Sequence, residues 1–452
     1  MRDLAFVGFL LALIGMGFRR PFLFVLAYVY VDIVSPQRLT YILLNSVPIS
    51  LILVSLAVGS WALFDDKRDT RVTPRQVMLL MLLVYCGITT TQADFPLEAA
   101  DKWSWVWKAL AFAIFLPLTL RTRLRIESLV LFMVLSAASI IIVGGIKTAA
   151  GGGGYGSLNL MMDSNSGLYE GSILSTVAIA IIPLIAWLAR YGTIYVPDWR
   201  VRLFAAALIF ACLLIPVGTQ ARTGLICIGV LGVTFLRQTK RRVLYLGGLA
   251  AVALVAIPML PASFTTRMNT IQGYQADSSA STRIAVWQWT LGYVKDHPYG
   301  GGFEAYRQNK LRIVKHATVT TGEQQDVSSI VEYDQARAYH SAYFEMLGEQ
   351  GYPGLVLWLV IHLSGLFRME VLRTRYRKSQ EDGWIASLAI ALQQGHLIYL
   401  IGSLFVGIAF QPFVYMLVGL QIGLDTYAAR RAKEAQSQPG FGSVRKAVPQ
   451  PS

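Results

Sequence analysis

The feature that most constrains this chain is a recurrence. Apolar runs of about 16–25 residues, broken by short polar links, follow one another from the N-terminus to about residue 425. A helix that crosses the hydrocarbon core of a bilayer needs roughly 20 apolar residues. The runs are continuous instead of alternating. That selects helices over a barrel, the only two ways to satisfy a backbone in hydrocarbon. With 54% hydrophobic and 15% charged residues over 452 positions, a soluble domain is excluded. The expected fold is an all-α polytopic membrane protein.

The runs fall at 4–18, 21–36, 40–64, 77–92, 104–120, 126–147, 170–189, 203–217, 224–236, 243–260, 343–367, 384–405 and 410–425. The links between them alternate in charge. Links 65–76, 121–125, 190–202, 237–242 and 368–379, and the segment after 428, are basic. Links 93–102, 148–169, 218–223, 262–340 and 406–410 are acidic or neutral. Lys and Arg collect in cytoplasmic loops, so the first set is expected inside and the second outside. The net charge of +14 therefore reads as a topology signal and not as nucleic-acid binding. Taking the two short runs before residue 36 as one net crossing gives about 12 transmembrane helices.

The expected division is 1–260 as N-terminal transmembrane helices, 261–340 as an outer loop domain, 341–428 as C-terminal transmembrane helices and 429–452 as a disordered cytoplasmic tail. Within the loop, Ser281 to Asp296 carries Ile284, Trp287, Leu291 and Val294 at helical spacing. His297-Pro298 ends that helix and Gly300-Gly301-Gly302 turns the chain. Residues 316–336 are polar and lack strong periodicity, so part of that stretch is expected to be mobile, and the loop domain as a whole is expected to be mainly helical.

Chemistry on the outer side has no access to cytosolic ATP or sugar nucleotides. It needs an activated donor already in the membrane. The polar groups expected there are Asp163 and Asn165, Gln220 and Arg222, Arg267, Arg283, Arg307, Arg312 and Arg337, and His340. Arg222 lies between two closely spaced runs, against the positive-inside trend. Its forked guanidinium suits phosphate oxygens, although snorkelling to lipid headgroups accounts for it too. Arg283, one turn before Trp287, is either a ligand group or a solvated helix residue. His340 titrates near neutral pH and is either a general base or an interfacial histidine bonded to the backbone. Asp163 and Asn165 also suit a helix cap. Glu345 and Glu349 are either packing groups or part of a site. Gly348, Gly351 and Gly354 are expected to give their helix a smooth strip for close packing.

The three cysteines lie in apolar runs and read as core residues. There is no HExxH, no metal-spaced histidine cluster, no phosphate-binding loop and no GxSxG. No metal and no cofactor are expected.

His340-Ser341, nine residues and then Gly351-Tyr352-Pro353-Gly354 resembles the HSx9GxxG signature shared by O-antigen ligases and related O-antigen polymerases. Gln220-Ala221-Arg222-Thr223-Gly224, the Arg283–Trp287 pair and His297-Pro298-Tyr299-Gly300-Gly301-Gly302-Phe303 match in the same order. Residues 1–140, with Arg19-Arg20-Pro21 and Ser35-Pro36-Gln37-Arg38, are similar to the N-terminal part of O-glycosylation ligases that accompany exosortase systems.

The resemblance implies a GT-C-like, metal-independent, inverting glycosyltransferase in the bacterial inner membrane. It would move a glycan from undecaprenyl diphosphate to the lipid A–core oligosaccharide on the periplasmic face. His340 would be the general base. Arg222 and Arg283 would hold the diphosphate, with Arg267 and Arg307 behind them and Gln220, Asp163 and Glu345 in support. An O-antigen polymerase or a protein O-oligosaccharyltransferase would use the same donor. A flippase ranks lower, because the strong polar groups crowd the outer links and not the mid-span positions Asp32, His362, Gln393, Gln394 and His396.

Overall fold

The computed structural model describes residues 2–40, 43–44, 47–68, 70–151, 167–238, 242, 247, 278–321 and 324–437. The helices are α1 (Arg2–Gly17), α2 (Phe22–Val34), α3 (Pro36–Leu39), α4 (Ile49–Phe64), α5 (Pro74–Thr91), α6 (Pro96–Thr119), α7 (Arg123–Gly151), α8 (Gly171–Tyr191), α9 (Trp199–Gly218), α10 (Arg222–Gln238), α11 (Ser278–Asp296), α12 (Ala342–Tyr376), α13 (Gly383–Gly402) and α14 (Pro412–Ser437). Among the described residues, five helices are long and apolar enough to cross a membrane: α7, α8, α9, α12 and α13. Three shorter apolar helices, in α1, α2 and α4, accompany them. By this measure the expected count of about 12 is not reached, and the run 243–260, apart from Gly247, lies outside the described residues, as does the tail from 438. The class, a helical multi-pass membrane protein, holds.

Local chemistry sets the helix starts. Thr73 and Gln76 form a reciprocal capping box on α5, with Pro74 at its first position, where the missing N–H costs nothing. Glu170 caps α8 and Asp198 caps α9 through the N–H groups of Ile173 and Val201. Packing then ranks the spans. The most apolar stretch of α8 is 78% buried, whereas that of α9 is 33% buried and presents Phe204 and Phe210 outward.

The links sort to the two ends of the bundle. At one end, Arg125 binds Asp65 with both terminal nitrogens at 2.6 and 2.8 Å, and Arg123 reaches the Tyr191 carbonyl at 2.9 Å. Arg430 reaches the Leu120 carbonyl at 2.9 Å. These are the basic links. At the other end, Asp94 donates to the Gly301 carbonyl at 3.0 Å and Ala342 to the Ser403 carbonyl at 2.8 Å. The hydroxyls of Ser175 and Thr219 meet at 2.8 Å. These links are the acidic or neutral set.

The loop segment corrects the mainly helical expectation. The helix α11 forms, but β1 (Lys310–Thr321) and β2 (Gln324–Gln335) pair as a long antiparallel ribbon. Lys310 pairs with Gln335 and Thr321 with Gln324. The ribbon is rich in Val, Ile and Thr, which favour extended backbone. Its base packs on α11 through Leu311, Val286 and Tyr339.

The glycines also differ from expectation. Gly351 (φ 63°) breaks α12 into two pieces, so there is no continuous smooth strip. The break receives the His297–Gly302 turn. A Cβ at Gly351 would lie 2.2 Å from the Pro298 carbonyl oxygen, and one at Gly300 (φ 82°) would lie 2.4 Å from the Glu349 carbonyl oxygen. Only glycine fits both the left-handed backbone and the contact.

Candidate active site

The short helix α3, the ends of α6, α8 and α12, the link after α13 and the loop segment enclose a cavity of about 730 Å3 at the acidic end of the bundle. Four cations line it: Arg38, Lys102, Arg283 and Arg307. So do His340 and the carboxylates Glu98, Asp101, Glu170, Glu304, Glu345 and Glu349.

His340 is positioned from two sides. On one, α11 docks through Trp287, whose ring stacks on Phe344 (4.9 Å, 3°) and whose indole N–H donates to the Tyr339 carbonyl at 2.9 Å. On the other, α12 is tied by Ala342 to Ser403. Between them the chain turns with His340 itself in the left-handed region (φ 47°), a conformation that histidine adopts more readily than most side chains. The imidazole is exposed to the cavity. Partial burial lowers its pKa below the ordinary 6.5, and the Arg283 guanidinium lowers it further, against an opposing Glu170. A neutral imidazole at neutral pH follows, ready to accept a proton.

Opposite lies a closed knot of charge. Lys102 donates to Glu345 Oε1 at 2.7 Å and to both oxygens of Glu349 at 2.8 and 2.9 Å. Glu345 Oε2 accepts from the Ala409 N–H at 3.0 Å, and Glu349 Oε1 accepts from the Glu304 N–H at 3.1 Å. Glu345 and Glu349 are four residues apart, so one face of α12 presents both. The ammonium also sits 5.5 Å over Phe303 and 5.8 Å over Phe410. Among the described residues no group of three or more His, Cys, Asp or Glu side chains is placed to share a metal ion.

Of the residues singled out in the sequence, His340, Arg283, Arg307, Glu345 and Glu349 line this cavity. Arg307 is paired with Glu304 at 3.2 Å and with Glu98 at 3.8 Å. Gln220 (φ 53°) and Arg222 are not among the lining residues. Their turn backs the α8 wall, where a Cβ at Gly171 would lie 3.2 Å from Thr219. Arg267, Asp163 and Asn165 lie outside the described residues. Sequence reasoning missed Arg38 and Lys102 as cavity residues. A signal for Lys102 existed, since it is a cation on a link otherwise poor in Lys and Arg.

The arrangement defines a multi-pass helical membrane protein with a histidine- and arginine-lined cavity at the end opposite its basic loops. Residues 205–359 match a family model described as O-antigen ligase, and residues 1–193 match a family of unknown function, DUF5935. No curated protein matches the chain. The match over residues 205–359 supports the class of lipid-linked glycan ligases and polymerases, and with it a glycosyl-transferring enzyme.

Proposed function

We propose that this protein transfers a glycan from undecaprenyl diphosphate to the lipid A–core oligosaccharide, at the periplasmic face of the bacterial inner membrane. The observation that carries this reading is the meeting of His340, at the head of its signature, with Arg283 on one cavity.

In the proposed step an acceptor hydroxyl attacks the anomeric carbon. The new bond runs from acceptor oxygen to that carbon, and the bond from carbon to phosphate oxygen breaks. The hydroxyl proton goes to His340, and undecaprenyl diphosphate leaves with the electron pair. One direct displacement inverts the anomeric centre. Charge grows on the leaving diphosphate, and pre-placed guanidinium groups stabilise charge as it develops. Arg283 takes that role. Arg307, held by two carboxylates, is a weaker partner, and Arg222 supports from behind α8.

The test is transfer by the purified full chain from an undecaprenyl-diphosphate glycan, with lipid A–core and protein offered as acceptors. Product on lipid A–core is expected, and it persists in excess chelator because no step uses a metal. Transfer to protein alone would move the acceptor to a protein hydroxyl. Transfer to neither sinks the reading. Loss of activity in chelator, restored by a divalent ion, overturns the metal-free step.

A further inference from the structure

Apart from the candidate active site, a cavity of about 400 Å3 opens between α7, α8 and α9 at the basic end of the bundle. We propose that it takes one acyl chain of an anionic phospholipid, whose headgroup is held at the mouth by Arg200. The inference does not depend on the function proposed above.

The space follows from where small residues fall. A Cβ at Gly145 would lie 2.9 Å from the Ala211 Cβ, and one at Gly218 would lie 2.0 Å from the Thr148 hydroxyl oxygen, so α7 and α9 touch toward the acidic end. Nearer the basic end larger side chains line the gap between them, Leu131 and Leu135 from α7 and Phe204 and Leu208 from α9. Ile185 and Leu188 of α8 complete the wall. Leu135 and Phe204 are exposed, so the rim is open to surrounding lipid. Along α7 the lining runs from Glu127 to Leu135, about 12 Å at the rise of an α-helix. That is less than half of a hydrocarbon core of roughly 30 Å, so the depth suits a chain from a single leaflet.

Charge at the mouth selects the headgroup. Arg200 lines the cavity and is exposed. Its guanidinium lies 5.5 Å from the centre of the Trp199 ring, and among the described residues no carboxylate pairs with it. The acidic groups nearby are committed. Glu127 is buried and accepts the Thr193 hydroxyl at 2.6 Å and the Ile194 N–H at 2.7 Å, and Asp198 caps α9. Arg190 and Arg202 add positive charge to the same link. Tyr195 and Trp199 are exposed there, as aromatic residues are at the level of lipid headgroups. A basic pocket between transmembrane helices on the positive side of the bundle is the setting in which anionic headgroups are bound.

The experiment is native mass spectrometry of the detergent-solubilised full chain with dioleoylphosphatidylglycerol or dioleoylphosphatidylcholine added. It compares wild type with R200Q, R200K, R202Q and A205F, each with its melting temperature. Wild type is expected to retain phosphatidylglycerol over phosphatidylcholine. R200Q should bind phosphatidylglycerol about fivefold more weakly, the scale of one cation at a lipid surface. Arg202 does not line the cavity, so R202Q should stay within about twofold of wild type. Ala205 is buried in the lining, so A205F should weaken both lipids by filling the acyl site. Equal retention of the two lipids by wild type overturns the inference. Equal losses in R200Q and R202Q overturn it too, because the attraction would then be diffuse surface charge. So does displacement of phosphatidylglycerol by undecaprenyl diphosphate at equal concentration, which would assign the cavity to another lipid. If R200Q melts lower than wild type, R200K decides: recovered binding supports the headgroup contact and unrecovered binding overturns it. A205F that melts as wild type does and binds both lipids unchanged removes the acyl site. If A205F melts lower without added lipid, the comparison of R200Q with R202Q decides alone.

Discussion

Two walls of one cavity carry charge in opposite ways. On the Lys102 wall every formal charge has a fixed partner. Lys102, Glu345 and Glu349 have side-chain exposures of 11, 6 and 0%, and backbone N–H groups take up remaining carboxylate oxygens. On the His340 wall the imidazole is exposed, its backbone is left-handed, and Arg283 is half-buried on a helix that belongs to the loop segment. A closed, desolvated ion network maintains a shape. An open histidine with nearby guanidinium groups is available to a ligand. Residue type alone does not separate the two, since both walls hold cations beside carboxylates.

The largest expected effect tests the open wall. H340A should lower kcat/KM for glycan transfer by about 10²–10⁴-fold, the usual contribution of a positioned base, with no change in melting temperature. Retained activity in a folded H340A protein would remove the base from the mechanism. The closed wall should answer in the other currency. K102A leaves two buried carboxylates facing each other and should cost about 3–5 kcal/mol of stability, read as a lower melting temperature and less protein inserted. K102A that melts like wild type yet transfers nothing would move Lys102 to the ligand wall and erase the distinction between the walls.

A third comparison lies within the open wall. Arg283 lines the cavity, whereas Arg222 opens α10 behind the α8 wall. R283A should reduce transfer by about 10²-fold or more, as the removal of one preorganised donor does elsewhere, and R222A by about tenfold or less. Equal losses would mean that the 218–222 turn reaches the donor when it binds.

How far the sequence reaches follows the same division. Long apolar runs place α7, α8, α9, α12 and α13, because period and length are local properties. His340 and Arg283 were legible through short motifs, and Arg283 through its spacing to Trp287. The Lys102 knot was not legible. It joins residues 243 and 247 positions apart, and nothing near Lys102 in the chain announces Glu345 or Glu349. Arg38 was legible only as part of the Ser35-Pro36-Gln37-Arg38 turn, because the other residues that line its cavity are distant in the chain. The hairpin was missed because residues 316–336 are polar and lack the sustained apolar alternation that marks a half-buried strand. The β-branched content of both strands was the available clue. Gly351 was read as a packing glycine, yet its role is a left-handed break that admits the Pro298–Gly300 turn.

The smallest effect tests the electrostatics of the open wall alone. A general base acts in its neutral form, so kcat/KM should fall as pH drops through the His340 pKa. Burial and Arg283 hold that pKa below 6.5, so the acid limb of wild type should lie below 6.5. Removing the Arg283 charge relieves one lowering cause while burial and Arg337 persist, so in R283A the limb should move upward. E170Q removes the opposing carboxylate, and its amide oxygen can still cap α8, so there the limb should move downward. Two shifts of opposite sign, measured on residual activity across the pH range, are a signature that a general loss of structure does not produce. Limbs that coincide in all three proteins would mean that the titrating base is not His340, or that substrate binding replaces the charges which surround it in the free protein.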